Sequence, residues 1–283
     1  MKPILKWAGG KARLAEQICL AFEEGCAGTY YEPFLGSAAV YLYRYSHGTV
    51  EKAVLADANP KLMAVHIAVR DRVHDLLAEL ERLPSDDWRE RYYDVREMYN
   101  AGPWTGPGHA ARFVWLNRAG YNGLYRENRS GGFNVPVGSY VRLSIPSEER
   151  FCEVSAALAN VELITSGFED CMRSAGENDQ VYCDPPYVPL SATANFTGYC
   201  KEPFGPAEQN ALALAARRAA FNGARVVLSN HDLPIVRNEL YAPKHGFTHV
   251  ARPRVARAIS RKASTRVRVG EVIARIGPLR KVG

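Results

Sequence analysis

Between Thr29 and Asp57 the chain reads strand, glycine loop, helix, strand, and then ends on an acid. No other stretch restricts the possible fold as strongly. Thr29 to Glu32 is short and aromatic, Phe34 to Ser37 forms a loop around Gly36, Ala38 to Tyr45 is suited to a helix, and Lys52 to Asp57 is apolar up to its final carboxylate. A strand that feeds a tight turn, a helix and a second parallel strand is the nucleotide-type half of a doubly wound α/β sheet. Ligands of such sheets lie beyond the carboxyl ends of the strands, where Asp57 is placed to accept from ribose hydroxyls. The pattern G-x-G-x-x-G is missing. That argues against a pyrophosphate-bearing dinucleotide and for a ligand with a ribose and no phosphate.

A second strand end points to chemistry. Val181-Tyr182-Cys183 lead into Asp184, followed by Pro185, Pro186 and Tyr187. Each proline has a fixed φ and no N–H, so the strand stops abruptly in a rigid loop with its carbonyls held in place. Asp-Pro alone would also suit a purely structural turn. A carboxylate, a fixed carbonyl and a flat ring together suit an exocyclic amine: Asp184 and the Pro185 carbonyl accept its hydrogens while Tyr187 stacks on the attached ring. At the amino terminus, Leu5-Lys6-Trp7-Ala8-Gly9-Gly10-Lys11 sets a tryptophan and two lysines around a double glycine, ahead of a helical pattern from about Leu14 to Glu24. Glycines there allow close backbone approach to a ligand, and Lys11 can contact a carboxylate or phosphate.

The 283 residues suffice for one large domain or two. No apolar run approaches the length of a membrane span and the amino terminus carries no signal-peptide pattern. The six cysteines are scattered without a C-x-x-C pair, so neither a disulfide framework nor a zinc site is expected, and no metal is assigned. A reducing, cytoplasmic location is the matching expectation. The net charge is +6, with seven basic and no acidic residues from Arg252 to Arg268. Such a run is ordinarily a solvated face. A second cluster from Arg118 to Arg129, set among aromatics and glycines, makes a polyanion the better partner.

From Pro60 to about Asn117 the periodicity is helical, broken at Leu83-Pro84 and between Ala101 and Gly108. This block reads as a helical domain, 60–144, inserted into a catalytic domain made of 1–59 and 145–283. Its closing loop, 118–138, is poor in core-forming residues and rich in arginine, asparagine and tyrosine, groups that read bases or wedge between them. After Pro146 the α/β alternation resumes: helix Ser147 to Ala159, strand Val161 to Thr165, helix Phe168 to Ala175, strand Val181 to Asp184 and helix Gly205 to Phe221. Strand Arg225 to Ser229 and helix Leu233 to Leu240 follow, and strands at Thr248 to Arg254 and Glu271 to Ile276 close the sheet as an antiparallel pair.

Together these residues resemble the Dam-type, D12-class adenine-N6-specific DNA methyltransferases. Lys6-Trp7-Ala8-Gly9-Gly10-Lys11 is similar to that family's amino-terminal cofactor motif, Glu32-Pro33-Phe34-Leu35-Gly36 to its first sheet motif and Asp57 to its ribose acid. Asn117-Arg118, Gly120 to Arg126 and Phe133-Asn134-Val135-Pro136 resemble its DNA-reading hairpin, and Asp184-Pro185-Pro186-Tyr187 its catalytic loop. The resemblance covers nearly the whole chain. It implies a class I, Rossmann-like, seven-stranded mixed sheet with an inserted helical target-recognition domain. It also implies S-adenosylmethionine as methyl donor, double-stranded DNA as partner and a nucleoid-associated place of action.

On that resemblance Trp7, Lys11, Phe34, Asp57, Phe168 and Asp184 line the cofactor pocket, and Asp184, Pro185 and Tyr187 act on the target adenine. Tyr121 intercalates, while Lys6, Asn122, Leu124 and Arg126 face the bases of a GATC-like site. The adenine must leave the duplex to be reached. Ala38 stands where the family carries a second glycine, so its methyl group is expected to crowd the cofactor. Ser139 stands where some relatives carry a phosphate-binding arginine. The rival readings are a cytosine-N4 or RNA-adenine methyltransferase and a DNA-binding relative without catalysis. Monomer or oligomer is left open.

Overall fold

A computed structural model describes residues 1–23, 26–190, 204–256 and 268–279. Its strands are β1 (Thr29–Glu32), β2 (Lys52–Asp57), β3 (Val161–Thr165), β4 (Gln180–Cys183), β5 (Arg225–His231), β6 (Thr248–Ala251), β7 (Arg254–Ala256) and β8 (Arg268–Ile276). The sheet order is β3-β2-β1-β4-β5-β8-β6, with β7 pairing β8 off this path. Strands β1 to β5 run parallel, and β8 is antiparallel to β5, β6 and β7. The chain winds outward from β1 to β2 and β3, then returns to place β4 on the other side of β1. This reversal makes the β1/β4 junction the switch point, where an open sheet forms its ligand crevice.

Side-chain alternation sorts the sheet residues onto two faces. Tyr30, Leu55, Tyr182, Val227 and Ile273 join one core cluster. Tyr31, Ala56, Val181, Cys183, Val226, Leu228, Val272 and Ala274 join the other. All four residues of β4 are buried, as expected of a central parallel strand covered on both sides. The second face is closed by the single turn α8 (Phe168–Cys171) and by α9 (Pro206–Phe221), whose Leu212, Ala216 and Ala220 are buried. Here α1 denotes Ala15–Leu20, α2 Ala39–Ser46, α3 Pro60–Asp71, α4 Val73–Glu81, α5 Tyr92–Asn100, α6 Gly106–Ala119 and α7 Glu148–Leu158.

The first core cluster continues without a break from the sheet into the helical block. Helix α3 begins at Pro60, its first turn capped by the Asn59 side chain, which accepts from the amides of Lys61 and Leu62. It packs on β2, β3 and α7 on one side and on α6 on the other. Helix α6 is buried along most of its length and contacts α3, α4 and α5, with the Trp115 indole donating to the Pro84 carbonyl at 2.9 Å.

After α6 the chain makes a hairpin. Antiparallel bridges join Gly120 to Val137 and Glu127 to Phe133, and the Asn134 amide donates to the Arg126 carbonyl at 3.0 Å. Tyr125, Phe133 and Val135 are buried beneath it, and Asn122 and Arg126 face outward.

Several sequence expectations need correction. The helix expected from Phe168 to Ala175 stops after one turn, because i→i+3 bonds from Arg173 to Asp170 and from Ala175 to Met172 tighten the chain out of α geometry. The amino-terminal helix is six residues, not eleven. The first helical stretch is cut at Arg72, whose ψ of 42° separates α3 from α4. In the basic run, Arg257, Arg261, Lys262 and Arg266 lie outside the described residues, as does Cys200; the other five cysteines are free thiols. No described helix is long and apolar enough to cross a membrane.

Candidate active site and nucleic-acid interface

Three carboxyl strand ends converge at the switch point. Strand β2 delivers Asp57, whose two oxygens accept the amides of Gly36 at 3.0 Å and Asn59 at 2.9 Å. Burial pushes the Asp57 pKa up, and those two amides oppose the shift. Gly36 must be a glycine twice over. Its φ is +49°, and a Cβ there would lie 2.7 Å from the Trp7 ring. Trp7 therefore lies directly over the loop that orients Asp57, and it stacks on Tyr125 of the hairpin at 5.7 Å.

From β4 the chain runs into Asp184, and Lys11 reaches it with Nζ 3.0 Å from Oδ1. The lysine is 6 % exposed and Asp184 is 19 % exposed. Each carboxylate oxygen has two lone pairs, so Asp184 keeps acceptor capacity beyond this ion pair. Burial raises the Asp184 pKa and the Lys11 ammonium pulls it back. The same ammonium donates to the Gly9 carbonyl and sits 4.7 Å from the Tyr187 ring centroid. Tyr187 donates from its hydroxyl to Glu271 at 2.9 Å and meets His231 edge-on at 4.9 Å.

Phe34 and Phe168 stack at 5.8 Å, and Phe204 packs against the edges of both. Beside Phe168, a cleft of about 400 Å³ opens between α8 and α9. Trp7, Lys11, Phe34, Asp57, Phe168, Asp184, Pro185 and Tyr187 thus all occupy the carboxyl side of the sheet or its immediate cover. Ala38 behaves differently from its expected role. It is fully buried in the core cluster with φ 61°, so its methyl group packs inward and its cost falls on the backbone.

The outward side of the hairpin begins one residue from Trp7. The Lys6 amide donates to Asn117 Oδ1 at 2.8 Å, and Asn117 Nδ2 returns to the Lys6 carbonyl at 2.7 Å and to the Gly123 carbonyl at 3.2 Å. Arg118 donates from Nε to the Ile4 carbonyl at 3.0 Å, so this arginine clamps backbone. The Lys6 ammonium sits 4.2 Å from the Tyr140 ring, its pKa lowered by burial and by Arg118. Asn122 adopts a left-handed φ of 54° and is exposed; Tyr121 and Leu124 are half-buried. Arg126 is exposed and bonded to Asn134, with Nε 2.7 Å from its side-chain oxygen.

Sequence reasoning missed several partners. Glu271, His231, Asn230 and Gln209 reach the Asp184 loop from β8, β5 and α9, and no local motif marks them. The buried Glu32 was legible only as part of a motif; its hydroxyl donor is Tyr30 at 2.7 Å. Among the described residues, the grouping with metal-ligand chemistry is His74, Glu148 and Cys152, within 4.8 Å of one another on α4 and α7. It lies on helices outside the strand-end crevice.

A parallel sheet with one antiparallel strand slotted between its last two members, opening at β1/β4 onto an acid-proline-proline-tyrosine loop, is the architecture of class I methyltransferases. The chemistry of these enzymes implies S-adenosylmethionine. Comparison with known proteins narrows the class. The profile of the D12 class N6 adenine-specific DNA methyltransferases matches residues 7–252, and the chain belongs to that family. The DNA adenine methylase of Salmonella typhi is 36% identical over 281 residues, covering 98% of this chain and 96% of that one. The Type II methyltransferase M.MjaIII of Methanocaldococcus jannaschii is 36% identical over 243 residues, covering 81% and 84% respectively. Among solved structures, an rRNA methyltransferase of Streptomyces viridochromogenes matches loosely, at 14% identity and a TM-score of 0.40, covering 93% of this chain and 84% of that one.

Proposed function

We propose that this protein transfers a methyl group from S-adenosylmethionine to N6 of adenine in double-stranded DNA, at a GATC-like site, after turning the base out of the helix. The observation that carries the reading is Asp184: a half-buried carboxylate at the switch point, ion-paired to Lys11 and followed by two prolines. When bound, S-adenosylmethionine supplies a methyl group already activated on a positively charged sulfur.

The residues present fit such a ligand. Asp57 keeps unused lone pairs on oriented oxygens for a ribose, Trp7 and Lys11 flank the approach, and Phe34 and Phe168 offer aromatic surface to an adenine. On the target side, Asp184 and the Pro185 carbonyl accept from the amino group, which leaves its lone pair facing the donor. Tyr187 stacks on the extruded ring. Catalysis in this arrangement is alignment and charge placement, so transfer is direct and in line. Lys6, Asn122, Leu124 and Arg126 read the flanking bases and Tyr121 wedges beside the target, all from the 118–138 hairpin and the segment clasped to it. We take 60–144 as the target-recognition unit and the remainder as catalytic, acting in the cytoplasm on nucleoid DNA.

Asp184→Ala is expected to abolish tritium transfer from labelled donor to duplex DNA while DNA binding weakens only modestly. Near-normal turnover in that variant would remove the assignment. Digestion of the product separates N6-methyladenine from N4-methylcytosine, and mapping the modified adenines tests the GATC-like site.

A further inference from the structure

The Asp184–Tyr187 loop cannot hold its own shape. Pro185 and Pro186 have no N–H to donate, so backbone bonds within the loop are few and its geometry must be imposed from outside. The bonds that impose it come from two amide side chains. Gln209 on α9 donates from Nε2 to the Pro186 carbonyl at 2.7 Å, and Asn230 on β5 accepts the Val188 amide at 3.0 Å. Gln209 is 3% exposed and Asn230 is fully buried. We infer that Gln209 and Asn230 are positioning residues that hold the Asp184–Tyr187 loop in its reactive geometry by gripping the Pro186 carbonyl and the Val188 N–H. The inference rests on the methyl-transfer reading above and adds the device that aims it.

The network has a single self-consistent polarity. Asn230 Oδ1 already receives two backbone amides, those of Val188 and His231 at 2.9 Å, so its Nδ2 must face the other way. There it donates to Gln209 Oε1 at 3.0 Å and to the Tyr241 hydroxyl at 3.3 Å. Gln209, its oxygen thus committed, can only present Nε2 to Pro186. His231 adds a third point, with Nδ1 2.6 Å from the Val188 carbonyl. The residues on both sides of Tyr187 are therefore pinned, and the Pro185 carbonyl is left for the target amine. In a buried site of low dielectric, one reversed amide breaks the whole chain of donors and acceptors. Misplacing a reacting group by about 1 Å can cost about 100-fold in rate.

The test uses Gln209→Glu and Gln209→Met in the full-length protein, with thermal melting to establish folding. In Gln209→Glu an ionised oxygen faces the Pro186 carbonyl and repels it; once protonated, the same group is an O–H donor and restores the bond. Single-turnover methyl transfer should therefore fall about 100-fold at high pH relative to wild type and recover as pH is lowered. Binding of S-adenosylmethionine and of duplex DNA should stay within about threefold. Dividing by the wild-type rate at each pH removes the titration of Asp184, Tyr187, His231, Tyr241 and Glu271 around the loop. It does the same for Glu208, Glu169 and Asp170, which line the cleft between α8 and α9.

Gln209→Met has no donor at any pH and should be slow throughout, which decides the matter if the glutamate variant does not fold. A rate ratio near one for Gln209→Met overturns the inference, as does a loss carried wholly by weaker ligand binding. A rate ratio for Gln209→Glu that stays flat with pH overturns it as well. If wild-type protein transfers no methyl group to DNA adenine under the same conditions, the functional reading fails first and the inference falls with it.

Discussion

Ala38 carries a backbone conformation that suits another residue. At φ 61° and ψ 27° it opens α2 in the left-handed region, which costs a residue with a Cβ about 1–2 kcal/mol. Glycine removes that strain but makes the unfolded chain freer by about 0.5–1 kcal/mol. The buried methyl group it removes contributes about 0.8 kcal/mol. Ala38→Gly should thus leave stability in urea titration within about 1 kcal/mol of wild type, with cofactor affinity unchanged because the methyl group points into the core. Glu32 gives a second test. Burial, with a smaller contribution from Asp184, pushes its pKa up to about 8 against the Tyr30 hydrogen bond. The folded state then keeps a proton that the unfolded chain has already released. That contribution is fully present below the ordinary carboxylate range and is lost as pH climbs to about 8. Glu32→Gln should flatten the fall in melting temperature between pH 5 and pH 8; an unchanged slope would mean that Glu32 is ionised in the fold. The placement of Asp57 and Asp184 at the switch point was legible because each is a lone acid ending an apolar strand. Glu271 was not, since its partner Tyr187 is 84 residues away and only the antiparallel pairing of β5 with β8 brings the two together.

The 118–138 hairpin hangs from α3 by a buried cation. Lys61 is paired with Glu127 at 2.9 Å and donates to the Gly131 carbonyl at 2.5 Å, while Glu127 also accepts from the Tyr125 hydroxyl. Lys61→Met leaves Glu127 without its counter-ion in a partly buried site, at a cost on the order of 2 kcal/mol, between the exposed and fully buried limits. The expected outcome is local: faster hydrogen exchange from 127 to 133 and weaker discrimination among DNA sequences, with S-adenosylmethionine binding retained. Equal loosening across the sheet would contradict it. At this scale the parallel strands β1 to β4 could be read from sequence almost to the residue, because parallel strands buried on both faces are short apolar runs with sharp ends. By contrast, β5 runs two residues further than expected, β8 begins three residues earlier, and the strand expected over Thr248 to Arg254 is split into β6 and β7. The helices were less legible. Nothing in the periodicity shows the break at Arg72, and the tight turns after Phe168 are set by i→i+3 backbone bonds that apolar spacing does not mark.

For the molecule as a whole, the continuous core cluster joining β1 and β2 to α3–α6 argues that the sheet and the helical block share one folding unit. Calorimetric and van't Hoff enthalpies should agree in a single unfolding transition, and an excised 60–144 segment should not fold alone; two resolved transitions would separate the units. The sequence shows a change to helical periodicity at this point but not that the packing is shared, because burial against a distant sheet leaves no periodicity of its own. The segment from Ile4 to Lys11 ties the two ends of the site together: Asn117 and Arg118 hold its start to the hairpin, and Lys11 meets Asp184 at its finish. On the proposed function, that short span works as a ruler: it would set the offset, counted in nucleotides, between the letters inspected and the letter altered. An extra residue spliced between Trp7 and Lys11 would put the two out of step, and the protein would still find its word and mark the wrong place in it, or none.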